Sequence, residues 1–133
     1  MVVCSEVIEH VFSPQEVLDD IVNHVKPGGC VIVSVPNAFH IKHRLYYLFG
    51  EHLDPNKDPV RKRFPEHIQA FSFGHMEQLL AISGLRVLSS YGYFKPLGRL
   101  IKNSLLRSLF SSYILIIAQK PNGLGSLDSP DHV

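Results

Sequence analysis

Tryptophan is absent from the 133-residue sequence, and cysteine occurs only at Cys4 and Cys30. Neither sign of charge dominates, with 13 Lys and Arg against 12 Asp and Glu. Two cysteines cannot build a disulfide-stapled scaffold. Both lie inside apolar runs and read as buried free thiols of a reducing, cytoplasmic compartment. A formal charge of +1 lacks the basic excess of a general nucleic-acid binder, so no nucleic-acid partner is expected. No apolar run approaches the ~18 residues that span a membrane. The start, Met1 to Glu6, lacks the basic stretch and apolar core of a secretory signal. Nine Gly and nine Pro are too few for a collagen-like or low-complexity chain. What is present is 45% hydrophobic and 19% charged sequence, at the length of one ordinary domain.

Met1 to Ser5 is a short run rich in β-branched residues and reads as the end of a strand. A chain that opens inside a strand is unusual, because domain ends usually lie at the surface. Ser13-Pro14-Gln15-Glu16 then supplies a cap, a first-turn proline and a capping-box glutamate. Val17, Leu18, Ile21, Val22 and Val25 recur at helical spacing, and Lys26-Pro27-Gly28-Gly29 ends the helix. Cys30 to Val35 is almost continuously apolar, as suits a parallel strand covered on both faces. The unit is therefore βαβ. Residues 38–70 read as an insertion or lid: a short helix from Ala38 to Phe49, then a polar stretch with Pro55, Pro59, Pro65 and the basic run Arg61-Lys62-Arg63. Ser72 caps a helix that ends at Gly84. Leu85 to Tyr93 is a strand, Pro96 to Phe110 a basic amphipathic helix, and Tyr113 to Ala118 a buried strand. Residues 120–133 form a flexible tail.

The densest polar cluster, Glu6-Val7-Ile8-Glu9-His10, follows the first strand. Open α/β sheets bind ligands outside the carboxyl ends of their strands. If this segment is helical, Glu6, Glu9 and His10 share one face. They could then hold a hard divalent cation such as magnesium or manganese, or supply a general base. Alternatively Glu6 and His10 only fix the turn and Glu9 is solvated. His67, where the insertion rejoins the scaffold, could reach the same cluster or merely pack at the helix approach. As a non-enzymatic binding module, the chain could use the 95–110 stretch and the Tyr46-Tyr47-Leu48-Phe49 surface to engage a partner or an anionic membrane; alternatively the stretch packs its apolar side on the core.

Val2 to Val11, Lys26-Pro27-Gly28-Gly29, Val31 to Asn37, His67 to Ser72 and Leu79 to Val87 occur in an order that resembles the carboxyl-terminal portion of class I S-adenosylmethionine-dependent methyltransferases, of the type 11/23 kind. The resemblance implies a partial doubly wound, Rossmann-like three-layer sandwich over residues 1–119, with the equivalents of strands four to seven. The last strand would insert antiparallel between the fifth and sixth. It implies S-adenosylmethionine as cofactor, approached by Cys4, Ser5 and Glu6, and a small-molecule hydroxyl as methyl acceptor. His10 would be the catalytic base. Glu6-x-x-Glu9-His10 also resembles two metal-using branches, the ubiquinone-pathway O-methyltransferases and the small-RNA 3′-terminal 2′-O-methyltransferases, which implies a metal set of Glu6, Glu9, His10 and His67. The family's Gly-rich loop and its ribose-binding acid have no counterpart here. The resemblance therefore implies an absent amino-terminal half, inactivity of this portion alone, and either self-association or dependence on that half.

Overall fold

The computed structural model describes residues 1–49 and 68–122. Five strands form one sheet in the order β1-β2-β5-β3-β4. They are β1 (Val2–Ser5), β2 (Cys30–Pro36), β3 (Arg86–Phe94), β4 (Arg99–Ile101) and β5 (Tyr113–Gln119). β1 and β2 are parallel. β5 runs antiparallel to both of its neighbours, β2 and β3, as the resemblance implied. The helices are α1 (Pro14–His24), α2 (Ile41–Leu48), α3 (Phe73–Ile82) and α4 (Ser104–Phe110).

Alternation along the strands divides the sheet into two unequal faces. Cys4, Val31, Val33, Val35, Ile114 and Ile116 point to one side and are buried. Leu18 of α1 and Phe73, Met76 and Leu80 of α3 complete that core. The other side carries Val3, Ile32 and Ile117 in one cross-strand row, and Ser5, Ser34, Leu115 and Tyr91 in the next. These residues are half-buried or exposed. β2 and β5 thus have the two-sided apolar composition of strands covered on both faces, while the described helices cover one. Among the described residues there are two layers, not the three expected.

Local chemistry explains most boundaries. Pro14 begins α1, but the Ser13 side chain makes no capping bond, so the capping box does not form. Gly28 takes φ 75, the left-handed turn that leads into β2, where other residues are strained. Ser72 caps α3 by accepting from the His75 N–H at 3.2 Å. Leu88 is the extra residue of a β-bulge between Val87 and Ser89. The bulge resets the alternation, so Ser90 and Gly92 face the core side and Leu88 is exposed.

The single helix expected over residues 96–110 is not found. Lys95–Leu97 is one 3-10 turn, stopped by Gly98 at φ 58. β4 then pairs back onto β3, with Leu100 opposite Tyr93. α4 starts afresh behind Asn103, whose side chain accepts from the Leu105 and Leu106 N–H groups at 3.1 Å. Gly98 and Asn103 each outweigh the helical spacing of the leucines, one by permitting a left-handed stop and the other by favouring a new cap.

α4 is held by Arg107. Its guanidinium donates to the Ser90 carbonyl at 2.6 Å and to Glu77 at 3.2 Å, and lies 4.6 Å from the Phe73 ring centre. The close approach of α4 to β3 needs Gly92: a Cβ there would lie 2.5 Å from Ser111 Cβ and 2.9 Å from Arg107 Cβ. Gly92→Ala is expected to destabilise the chain by about 1–3 kcal/mol through overpacking. Chemical denaturation checks this, and an unchanged midpoint would contradict the close approach.

Candidate active site

The site begins where β1 ends. Glu6 adopts φ 54, the one positive φ at a non-glycine among the described residues. Such backbone is costly for a side chain with a Cβ and gathers at functional positions. Here it is held in place by the Glu6 N–H, which donates to the Ser34 carbonyl at 3.0 Å. The turn swings the Glu6 carboxyl over the carboxyl ends of β1 and β2.

There, on the open face of the sheet, lies a cleft of about 320 Å³. Ser5, Glu6 and Ser34 form its polar wall, and Tyr93, Tyr113 and Leu115 its broader apolar one, with Leu100 of β4 at the rim. The two tyrosine rings are 6.3 Å apart, tilted by 43°. The Ser5 and Ser34 hydroxyl oxygens are 2.7 Å apart, and Ser34 donates to Glu6 Oε1 at 3.3 Å. A serine hydroxyl has one hydrogen to give. With Ser34 donating to Glu6, Ser5 must be the donor to Ser34, and the Ser5 oxygen keeps acceptor capacity at the cleft. Ser5 → Ser34 → Glu6 is therefore a directed chain of hydrogen bonds. Sequence spacing missed Ser34 and both tyrosines, because cross-strand register brings them together.

Burial pushes the Glu6 carboxyl above its ordinary range, and the Glu9 charge pushes it further, against a smaller lowering from the Ser34 hydrogen bond. Burial likewise raises the Cys4 thiol, with Glu9 adding to it. The Cys4 side chain belongs to the helix-covered core, so of the three cofactor-side candidates it is Ser5 and Glu6 that line the cleft.

Glu6, Glu9 and His10 do not share one helical face, yet the Glu6 carboxyl is hydrogen-bonded to the Glu9 side chain and feels the His10 charge. Ile8–His10 is a single 3-10 turn and Glu6 lies outside it. At about three residues per turn, positions four apart no longer overlap. Glu9 is turned inward and is 1% exposed, not solvated. His10 stays at the surface, its Nε2 3.7 Å from Glu9 Oε1, and is not among the residues lining the cleft. The Glu9 carbonyl accepts from the Ile68 and Gln69 N–H groups at 3.0 and 3.1 Å. The segment after the insertion thus returns to this turn, as expected. His67 lies outside the described residues. Among the described residues no three His, Cys, Asp or Glu side chains are grouped to hold a metal ion.

A glutamate whose carboxyl is raised on folding costs stability once ionised. That cost is absent below the unfolded value near 4.5 and grows as pH rises through the raised folded value. Glu6→Gln is therefore expected to melt higher than the parent chain at neutral pH, with the gap closing as the pH falls towards 4.5. Thermal melts across pH check this; a gap that widens on acidification would contradict the assignment.

Residues 1–90 match the family model for the methyltransferase domain. Over 50 residues the chain is 42% identical to the ubiquinone biosynthesis O-methyltransferase of Rickettsia prowazekii (strain Madrid E), covering 38% of this chain and 18% of that protein. The Rickettsia typhi (strain ATCC VR-144 / Wilmington) protein of the same name matches at 42% over 50 residues, covering 38% of this chain and 19% of that one. In fold, the chain is similar to a SAM-dependent methyltransferase, possible histamine N-methyltransferase, from Thermotoga maritima, with a TM-score of 0.60 at 16% identity over 89% of this chain and 54% of that one. It is also similar to the CurJ carbon methyltransferase, with a TM-score of 0.51 at 15% identity over 90% of this chain and 29% of that one. The chain thus spans about half of the Thermotoga structure and under a fifth of the Rickettsia proteins. By the family model and the five-stranded sheet alike, it belongs to the methyltransferase domain family.

Proposed function

We propose that this chain supplies the acceptor-side portion of an S-adenosylmethionine-dependent methyltransferase that acts on the hydroxyl of a small molecule. The observation that carries the proposal is the directed Ser5–Ser34–Glu6 chain opening into a cleft at the strand ends. The match to ubiquinone biosynthesis O-methyltransferases supports an oxygen acceptor.

The cleft fits part of such a reaction. Its volume of about 320 Å³ lies at the small end of ligand sites, room for one ring-sized acceptor but not for a whole nucleoside beside it. Bound S-adenosylmethionine would supply an electrophilic methyl group, whose bond to sulfur breaks with the electron pair going to sulfur. The chain's own residues would handle the other partner. The tyrosines and Leu115 would hold an apolar ring, and Ser5 would accept the hydrogen of its hydroxyl. As the oxygen bonds to the methyl carbon, that proton passes along Ser34 to Glu6. A carboxylate with a raised pKa is a stronger base than an ordinary glutamate and suits this role. No step is routed through a metal.

Cofactor binding is proposed to depend on sequence beyond this chain, since no Gly-x-Gly occurs before the Gly123-Leu124-Gly125 stretch. Among the described residues β1 is an edge strand paired on one side only, and no helix covers the second sheet face. Both features support self-association of the isolated chain, or the addition of further strands and helices.

Two measurements test the proposal. Calorimetric titration of the chain alone with S-adenosylmethionine is expected to show no binding tighter than millimolar; micromolar binding would overturn the division of the site. In a chain extended by any in-frame upstream sequence carrying a Gly-rich loop, Glu6→Gln is expected to lower kcat about 10²–10⁴-fold with little change in KM, and Ser34→Ala to follow in the same direction. A large loss from His10→Ala with none from Glu6→Gln would return the role of base to His10.

A further inference from the structure

The part of the chain that replaces the expected 96–110 helix carries a surface that methyl transfer does not use. Leu97 and Leu105 are 66% exposed and Leu106 47%. Among them stand Lys95, Arg99 and Lys102, all exposed. Arg107, the remaining cation of this stretch, is turned inward on Glu77 and Ser90.

The surface continues onto α2. The Arg44 guanidinium donates to Ser108 Oγ of α4 at 2.8 Å and to the Phe39 carbonyl at 2.7 Å. The His40 ring donates a hydrogen bond to the Phe110 backbone carbonyl. These bonds place α2 beside α4, and the exposed Leu48 and Phe49 at the end of α2 extend the same apolar and cationic region.

Charge selects the occupant. Residues 78–127 contain Arg86, Lys95, Arg99, Lys102, Arg107 and Lys120 and no carboxylate. Aliphatic side chains interleaved with exposed cations suit a surface that is apolar beneath and anionic above. A nucleic-acid strand would reward the cations and stacking aromatics, not exposed leucines. Location separates this region from any continuation of the sheet. β4 is the edge strand opposite β1, so strands added at β1 leave it uncovered.

We propose that the 3-10 turn, β4 and the outer side of α4 form a docking surface for an anionic lipid bilayer, with α2 as its flank. Leu97, Leu105 and Leu106 enter the headgroup boundary, while Lys95, Arg99 and Lys102 meet the lipid charge. The surface does not depend on the methyl-transfer proposal, since none of these residues belongs to the hydrogen-bond chain.

Vesicle flotation tests it, because self-associated protein sinks and lipid-bound protein rises. Vesicles of phosphatidylcholine mixed with phosphatidylglycerol are expected to float the chain, with binding that weakens as salt is added. Vesicles of phosphatidylcholine alone are expected to leave it behind. The triple variant Lys95→Gln, Arg99→Gln, Lys102→Gln is expected to bind the mixed vesicles at least about tenfold more weakly. The double variant Leu97→Ser, Leu105→Ser is expected to weaken binding as well. All five positions are exposed, and circular dichroism matching the parent chain confirms that the variants fold. Equal flotation by both vesicle types, parent-like binding by either variant, or displacement of the chain from vesicles by RNA would overturn the proposal.

Discussion

The insertion of β5 between β2 and β3 is the constraint on which the rest of the structure depends. β5 pairs with β2 over seven residues, from Cys30 opposite Gln119 to Pro36 opposite Tyr113. This single register stacks Val31, Val33 and Val35 against Ala118, Ile116 and Ile114 on the helix-covered side. On the other side it sets Ser34 beside Leu115. A slip by one residue would turn every one of these side chains to the wrong face. The core and the floor of the cleft are thus two faces of the same pairing. They cannot be altered independently.

The two faces are finished to different degrees. The helix side is closed by α1, α3 and α4 and contains the fully buried side chains. The open side has the same apolar strands beneath it, but there the sheet ends in a cleft. The solved structures of similar fold are longer than this chain by the shares given above. The strained Glu6 turn lies at the junction of the two faces. It takes the chain from a buried strand to the cleft within one residue, and cross-strand hydrogen bonds to Ser34 hold it there.

Much of this was legible in the sequence wherever a local signal and a periodic one agreed. The apolar run at Cys30 to Val35, the Lys26-Pro27-Gly28-Gly29 turn and the Ser72 cap each combine both. The 95–110 stretch failed because leucine spacing was weighed above Gly98 and Asn103, which break a helix and begin another. The alternation of Leu85 to Tyr93 was obscured by the bulge at Leu88, since one inserted residue reverses every parity after it. Glu6 stands out in the sequence because it follows a strand end, and Ser5 enters only through the family resemblance. Ser34, Tyr93 and Tyr113 do not stand out, since they join the cleft only through pairings between strands distant in sequence. The burial of Glu9 is not legible either, since it comes from the single 3-10 turn that drives Ile8 and Glu9 into the interior.

The most direct test of the account is to map where the cofactor's product touches the chain. In a chain extended by in-frame upstream sequence carrying a Gly-rich loop, backbone amide NMR shifts on addition of S-adenosylhomocysteine are expected to move at Ser5, Glu6 and the Ser34 to Asn37 strand end, and to leave α1 and Lys120 unmoved. Shifts confined to α1 or to residues near Lys120, with none at the strand ends of an extended chain that binds the compound, would contradict a methyltransferase site at this edge of the sheet.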